Sequence, residues 1–313
     1  MFARKNKCFF VAMRKNRGII ERMKHETIAL PVHYEGTLTR TGNPPFLKTY
    51  ILDNFDFDAN RLRPLVLICP GGGYEHLSPR EAEAVAIQMN ARGFHAAVLF
   101  YSLAPMEFPA ALCDLAEAVH FVRSMAAAWN VDGEKIIVAG FSAGAHLSAS
   151  LGVYWNGLPA GGASSEDKTP LIKKYLPYKN TDIKPNALLL CYPVITAGEW
   201  AHRSSIQKVL GEKKGAHTEW VSLENLVSKD VPPVFMWHTS EDCTVPAQNS
   251  LLFALALQKE KIPVEYHLFQ RGVHGLSLAS AETANTGGRE IQMECAVWID
   301  LFATWANLLF EKS

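Results

Sequence analysis

Residues 136–147 read Ile136-Ile137-Val138-Ala139-Gly140-Phe141-Ser142-Ala143-Gly144-Ala145-His146-Leu147, and this stretch decides the fold. An apolar run suited to a buried strand leads into a serine between two glycines, and the continuation to Leu151 is rich in helix formers. A serine hydroxyl is a poor nucleophile until a sharp strand-to-helix turn exposes its oxygen beside a base and backbone donors. Alone, the Gly-x-Ser-x-Gly pentapeptide also occurs as an ordinary glycine turn. The rest of the chain must therefore supply a base, an acid and an oxyanion hole in a workable order.

The same alternation extends in both directions. Apolar strands are expected at Leu65 to Cys69, 95–100, 136–140, 187–191, 234–238 and 264–269. Between them fall helical stretches at 80–92, 109–129, after Ser142, at 246–260 and near 289–311. Near-continuous apolar strands separated by helices predict a mostly parallel sheet covered on both faces. Two further β-rich segments, 27–34 and 47–52, are split by Thr41-Gly42-Asn43-Pro44-Pro45 and read as an opening antiparallel pair, which brings the sheet to eight strands. Residues 155–185 and 196–230 break the rhythm and read as insertions, the second forming a small lid over the strand ends. No internal repeat and no domain boundary is apparent, so 25–313 reads as a single α/β domain. Before it, residues 1–24 carry eight Lys or Arg around Cys8-Phe9-Phe10-Val11-Ala12-Met13 and read as a disordered basic extension, with Met13 and Met23 as possible alternative starts.

Composition narrows the chemistry. The chain has 313 residues, 48% of them hydrophobic, enough to bury a substantial core. Its 31 basic residues balance 31 acidic ones, so no overall field favours nucleic acid or an anionic membrane. A small-molecule substrate is the expected partner, with a homo-oligomer left open. Six scattered cysteines show no metal-ligand spacing and no disulfide framework, and no cofactor is expected. Cys69 and Cys191 end apolar runs and read as buried thiols, which points to a reducing, cytoplasmic location, with secretion or a periplasmic site left open. No apolar run approaches the roughly 20 residues that span a bilayer.

A parallel α/β sheet gathers its ligand site at the carboxyl ends of its strands. The loops there carry Pro70-Gly71-Gly72-Gly73-Tyr74, Ser142, Thr239-Ser240-Glu241-Asp242 and Gln270-Arg271-Gly272-Val273-His274-Gly275. Ser142 is the candidate nucleophile, His274 the base, and Asp242 the acid that orients it, with Glu241 as the competing acid. His267 lies inside a strand, His238 ends one too early, and His146, one turn after Ser142, reads as packing around the turn. The amides of Gly72, Gly73 and Ala143 are the candidate oxyanion donors. Tyr74, Trp200 and Trp220 are candidates to line an acyl or sugar pocket, with buried core as the competing reading. Asp114 reads as ordering a nearby loop.

These residues resemble the α/β-hydrolase superfamily, and within it the hormone-sensitive-lipase-like carboxylesterases and the small carbohydrate acetyl (xylan) esterases. The resemblance runs from about Leu65 to Leu276. Its motifs are Pro70 to Tyr74, Tyr101-Ser102-Leu103-Ala104-Pro105, Gly140 to Leu147, Cys191-Tyr192-Pro193-Val194 and the Asp242 and His274 loops. The order serine, acid, histidine is also that of the α/β-hydrolases. Pro70 stands where the lipase-like loop has histidine, which moves the chain toward the acetyl esterases. The resemblance implies hydrolysis of short acyl esters, acetyl on a sugar or xylo-oligosaccharide, through an acyl-enzyme. Amide hydrolysis of the arylformamidase type and a non-catalytic hydrolase-fold binding protein are the alternatives.

Overall fold

Why the central strands read as unbroken apolar runs is plain from their neighbours, since each is covered on both faces. The computed structural model describes residues 23–31, 44–211 and 217–311. The expected basic extension, apart from Met23 and Lys24, lies outside these residues, as do Met13 and Cys8. Eight strands form one sheet: β1 (Thr27–Ala29), β2 (Phe46–Tyr50), β3 (Arg63–Cys69), β4 (His95–Phe100), β5 (Val131–Phe141), β6 (Ala187–Cys191), β7 (Val234–Thr239) and β8 (Val264–Phe269). Their order is β1-β2-β4-β3-β5-β6-β7-β8. The first two pair antiparallel, β2 pairs antiparallel with β4, and every other pairing is parallel, as expected.

Strand β3 has β4 on one side and β5 on the other, so the chain reverses its direction of travel across the sheet there. Such a reversal opens a crevice at the carboxyl ends of the two diverging strands. Cys69 and Gly140, paired at that end, are followed by the glycine loop and by Ser142.

The helices are α1 (Glu83–Ala91), α2 (Ala110–Ser124), α3 (Ala126–Trp129), α4 (Ala143–Tyr154), α5 (Asn180–Ile183), α6 (Arg203–Leu210), α7 (Gln248–Lys259), α8 (Met293–Ala296) and α9 (Trp298–Glu311). Alternate strand residues point to opposite faces. Leu65, Leu67, Val138, Leu188, Leu190 and Met236 meet Leu115, Leu147 and Phe253 in one core, formed with α2, α4 and α7. Val66, Ile68, Ile137, Leu189, Phe235 and Trp237 meet Val85, Met89, Trp298 and Phe302 in the other, under α1 and α9. Complete burial of one such side chain contributes about 1.5–3 kcal/mol.

Several boundaries differ from expectation. The helix expected over 109–129 breaks at Met125, whose N–H is shared between the carbonyls of Phe121 and Val122. The helix expected from residue 80 starts at Glu83, because a 3-10 turn (Pro79–Glu81) and Ala82 at φ −111°, ψ −104° precede it. Strand β5 begins at Val131 rather than 136, where Val131 pairs with Arg63. Strand β1 stops at Ala29, and residues 32–34 of its expected span lie outside the described residues. The inserted segments are not featureless: 155–185 contains α5, and 196–230 contains α6 with 3-10 turns at Thr218–Trp220 and Leu223–Asn225.

Against expectation, one segment, Met293–Glu311, is long and apolar enough to cross a membrane by length and composition. Here it supplies α8 and α9, and Cys295, Trp298, Ile299, Phe302 and Ala306 are buried against the sheet.

His95 is fully buried on β4. Its Nδ1 accepts the Leu52 N–H at 3.1 Å, so the proton sits on Nε2, which donates to the Asn130 carbonyl at 3.2 Å. Burial lowers its pKa to about 4, opposed by the Asn130 carbonyl and reinforced by the charges of Arg63 and Lys24. An unfolded histidine binds its proton near pH 6.5, so between there and about 4 the unfolded state holds a proton that the folded state does not. Stability should therefore fall as pH drops through that window and level off below it. His95→Gln, which keeps one acceptor and one donor, should flatten the limb by roughly 1–3 kcal/mol in urea titrations at pH 7 and pH 4.

Candidate active site

Strand β5 ends in a turn that only small flanking residues permit. Ser142 sits at φ +53°, ψ −117°, a conformation that costs a non-glycine residue on the order of 1–3 kcal/mol. A Cβ on Gly140 would stand 2.2 Å from the Gly144 carbonyl oxygen, and one on Gly144 would stand 2.1 Å from that of Cys69. Backbone contacts hold the turn. The Ser142 N–H donates to the Cys191 carbonyl at 3.0 Å, and the Ser142 carbonyl accepts the N–H groups of Ala145, His146 and Val194.

The structure brings Ser142, His274 and Asp242 into one hydrogen-bonded chain. Ser142 Oγ lies 2.7 Å from His274 Nε2, and His274 Nδ1 lies 2.6 Å from Asp242 Oδ2. Because the carboxylate can only accept, Nδ1 carries the proton and the Nε2 lone pair faces the serine hydroxyl. Asp242 Oδ1 accepts the N–H groups of Thr244 and Val245, both at 2.9 Å. Burial works to raise the Asp242 pKa, but hydrogen bonds from His238 and His274 and their charges hold it well below the usual carboxylate range. His238 stands behind the acid, with Nε2 2.9 Å from the Val245 carbonyl and 3.2 Å from Asp242 Oδ2. Glu241 Oε2 accepts the Gly272 N–H at 3.3 Å and, among the described residues, makes no bond to the imidazole.

The loop after β3 lies directly against the serine. A Cβ on Gly71 would come 3.0 Å from Ser142 Cβ, and one on Gly72 would come 2.1 Å from the His76 carbonyl oxygen. The Gly71 N–H is committed to Glu81 Oε2 at 2.8 Å. Those of Gly72, Gly73 and Ala143 donate to no protein group among the described residues. Ala143 is also the first residue of α4, where the helix dipole favours negative charge.

The three aromatic candidates occupy different environments. Tyr74 is buried, its hydroxyl donates to His146 Nδ1 at 2.8 Å, and it borders a small cavity with Ser102, Phe108 and Leu147. His146 in turn donates from Nε2 to the Val221 carbonyl at 3.0 Å, and burial lowers its pKa to about 4. Trp220 stacks on His217, with ring centroids 4.1 Å apart, and borders a cavity of about 240 Å³ with Phe108, Leu171 and Tyr175. Trp200 is 39% exposed, and its carbonyl accepts from Asn249 Nδ2. Asp114 Oδ2 accepts the Ser102 N–H at 2.7 Å and so orders the loop after β4. Burial pushes the Cys69 thiol up to about 12 and Cys191 well above its ordinary value, as suits inert core thiols.

Sequence inspection missed His202. It precedes α6, its Nδ1 is 2.8 Å from Ser205 Oγ, and that hydroxyl lies 3.7 Å from where a Gly73 Cβ would be. Burial and then the charge of His274 lower its pKa, which puts it within electrostatic reach of the site. No motif flags it, since only the packing of α6 against the glycine loop places it there.

A family model described as BD-FAE matches residues 56–257. A Butyrivibrio fibrisolvens protein named endo-1,4-beta-xylanase B is 37% identical over 238 residues, which is 74% of this chain and 35% of that protein. The acetylxylan esterase of Xylanibacter ruminicola is 25% identical over 67% of this chain and 40% of its own length. The chain thus spans well under half the length of these two curated relatives. Among solved structures, an acetyl ester-xyloside bifunctional hydrolase from Caldicellulosiruptor lactoaceticus superposes with a TM-score of 0.74 at 34% identity, covering 92% of this chain and 97% of that one. The carboxylesterase Cest-2923 from Lactobacillus plantarum gives 0.76 at 28% identity, covering 92% and 98%.

Two substitutions probe this geometry. Asp242→Asn should lower kcat on p-nitrophenyl acetate about 10⁴-fold by favouring the wrong imidazole tautomer, whereas Glu241→Gln should leave it within threefold. Gly144→Ala should destabilise the fold by about 1–3 kcal/mol in urea and abolish turnover, because its methyl meets the Cys69 carbonyl.

Proposed function

The chain belongs to the BD-FAE family of α/β-hydrolases, and from that premise we propose that it is a serine carboxylesterase acting on short acyl esters, in particular acetyl groups on carbohydrates such as xylo-oligosaccharides. The observation that carries the chemistry is the hydrogen-bonded chain from Asp242 through His274 to Ser142 Oγ, beside three uncommitted N–H groups.

In this reading, Ser142 Oγ attacks the ester carbonyl carbon as its proton passes to His274 Nε2. Asp242, kept ionised by its four hydrogen bonds, stabilises the imidazolium through Nδ1. The carbonyl oxygen becomes an oxyanion facing the N–H groups of Gly72, Gly73 and Ala143, each worth about 10²–10³ in rate. Collapse breaks the bond to the alcohol, which leaves with the proton from His274. Water then gives its proton to Nε2 and attacks the acyl-enzyme through a second oxyanion, and the acid departs as Ser142 recovers its hydrogen.

Support for the sugar comes from the names of the relatives, which combine xylan or xyloside chemistry with acetyl esters. His202 stands beside the glycine loop, where a leaving alcohol would meet it.

The test is an acyl-chain series on the purified protein, with acetylated xylo-oligosaccharide and N-formylkynurenine as competing natural-type substrates. Turnover should fall sharply beyond propionyl, favour the acetylated sugar over the formamide, and vanish in Ser142→Ala. A preference for long acyl chains, or for N-formylkynurenine, would overturn the acetyl-esterase assignment.

A further inference from the structure

Glu81 ends the 3-10 turn before α1 and is only 3% exposed. It makes no ion pair with a lysine or arginine among the described residues, so its two oxygens must find their partners in neutral donors. Those donors belong to the loops after two different strands, β3 and β6. Oε2 accepts the Gly71 N–H at 2.8 Å, and Oε1 accepts the Tyr192 hydroxyl at 2.6 Å.

On the first side, Gly71 is pinched between the acid and the nucleophile. A Cβ there would lie 2.8 Å from Glu81 Oε2 and 3.0 Å from Ser142 Cβ. The next two residues carry the N–H groups assigned to the oxyanion, so the bond from Glu81 sets the starting point from which Gly72 and Gly73 are aimed. On the second side, Tyr192 Oη also accepts the Ser277 N–H at 2.9 Å, three residues beyond the base. The Tyr192 ring stands edge-on to His274, with centroids 5.1 Å apart at 72°. Tyr192 itself follows Cys191, whose carbonyl receives the Ser142 N–H, and its own N–H donates to the Trp237 carbonyl at 2.8 Å. The loops after β3 and β6 are therefore bonded to one carboxyl group, and through Gly71 and Tyr192 it adjoins the loops after β5 and β8.

We infer that Glu81 is a positioning residue that locks the oxyanion loop and the His274 loop into one register through Gly71 and Tyr192, without touching substrate. The inference rests on the reading of Ser142 as nucleophile. A displacement of about 1 Å at a reacting group can cost about 10²-fold in rate, and a brace shared by donor and base misaligns both when it is lost. A carboxyl group is the side chain suited to the task, since both of its partners are donors. An amide would have to turn its NH₂ toward one of them.

The test uses Glu81→Gln, Tyr192→Phe and the double variant in the full chain. Each is assayed for kcat and KM on p-nitrophenyl acetate, for the rate of Ser142 labelling by a fluorophosphonate, and for its urea midpoint. In Glu81→Gln, kcat and labelling rate should both fall about 10²-fold, with KM within threefold. Tyr192→Phe keeps the ring against His274 and should fall at least tenfold. The double variant should fall no further than the worse single one, because both belong to one network. A folded Glu81→Gln with kcat and labelling within threefold of the parent overturns the inference, as do fully multiplicative losses. Should Glu81→Gln not fold, an unchanged Tyr192→Phe overturns it instead. Labelling needs an activated serine but no particular ester. A parent that is labelled yet hydrolyses no ester therefore removes the esterase reading while the labelling rates still judge Glu81, and a parent that is not labelled overturns both.

Discussion

Everything at the site depends on backbone lying against backbone where β5 turns into α4. The end of β5 lies so close to the first turn of the helix, and that turn so close to the end of β3, that no side-chain atom fits at Gly140 or at Gly144. That approach forces Ser142 into a conformation that residues with a Cβ seldom adopt, and it presents the hydroxyl above the sheet rather than within it. It also brings the Ala143 N–H beside the glycine loop after β3, so nucleophile and oxyanion donors are set by one contact. The strain at Ser142 persists because bonds from Cys191, Ala145, His146 and Val194 leave it no alternative.

Around this turn the buried acid and imidazoles are each met by matching donors and acceptors. Asp242 receives four hydrogen bonds and stays charged. His146 and His95 each place one nitrogen against a carbonyl and the other against a donor, which holds both rings neutral. His274 alone among these rings keeps one nitrogen directed at the reacting hydroxyl. The difference in role among these histidines comes from what surrounds each ring, since the side chains are identical.

Much of this was legible in the chain because the signals are local. The apolar run into Gly140 lies within one strand, the glycines at 71–73 lie within one loop, and Ser142, Asp242 and His274 each stand in a loop just after a strand that the sequence pattern marks. The sheet of eight strands followed from period and spacing in the same way. What escaped depends on contacts between distant segments. Glu81 meets Tyr192 across 111 positions, and His202 reaches the glycine loop only through the packing of α6. The hydrogen bond from Tyr74 to His146 likewise joins residues 72 positions apart. The early start of β5 at Val131 also arises from pairing with Arg63, which no window of local sequence contains.

The apolar cover supplied by α9 carries a consequence for how the molecule is made. In chain order this helix follows every strand it shields, so the face bearing Phe94, Phe235 and Trp237 is synthesised long before Trp298 and Phe302 arrive to close it. Until then the nascent sheet displays a broad apolar surface, and the segment that ends this exposure is itself long and apolar enough to cross a membrane by length and composition. The interval before α9 docks is therefore the one in which capture by a holdase, by a membrane or by another incompletely folded copy competes with closure of this face.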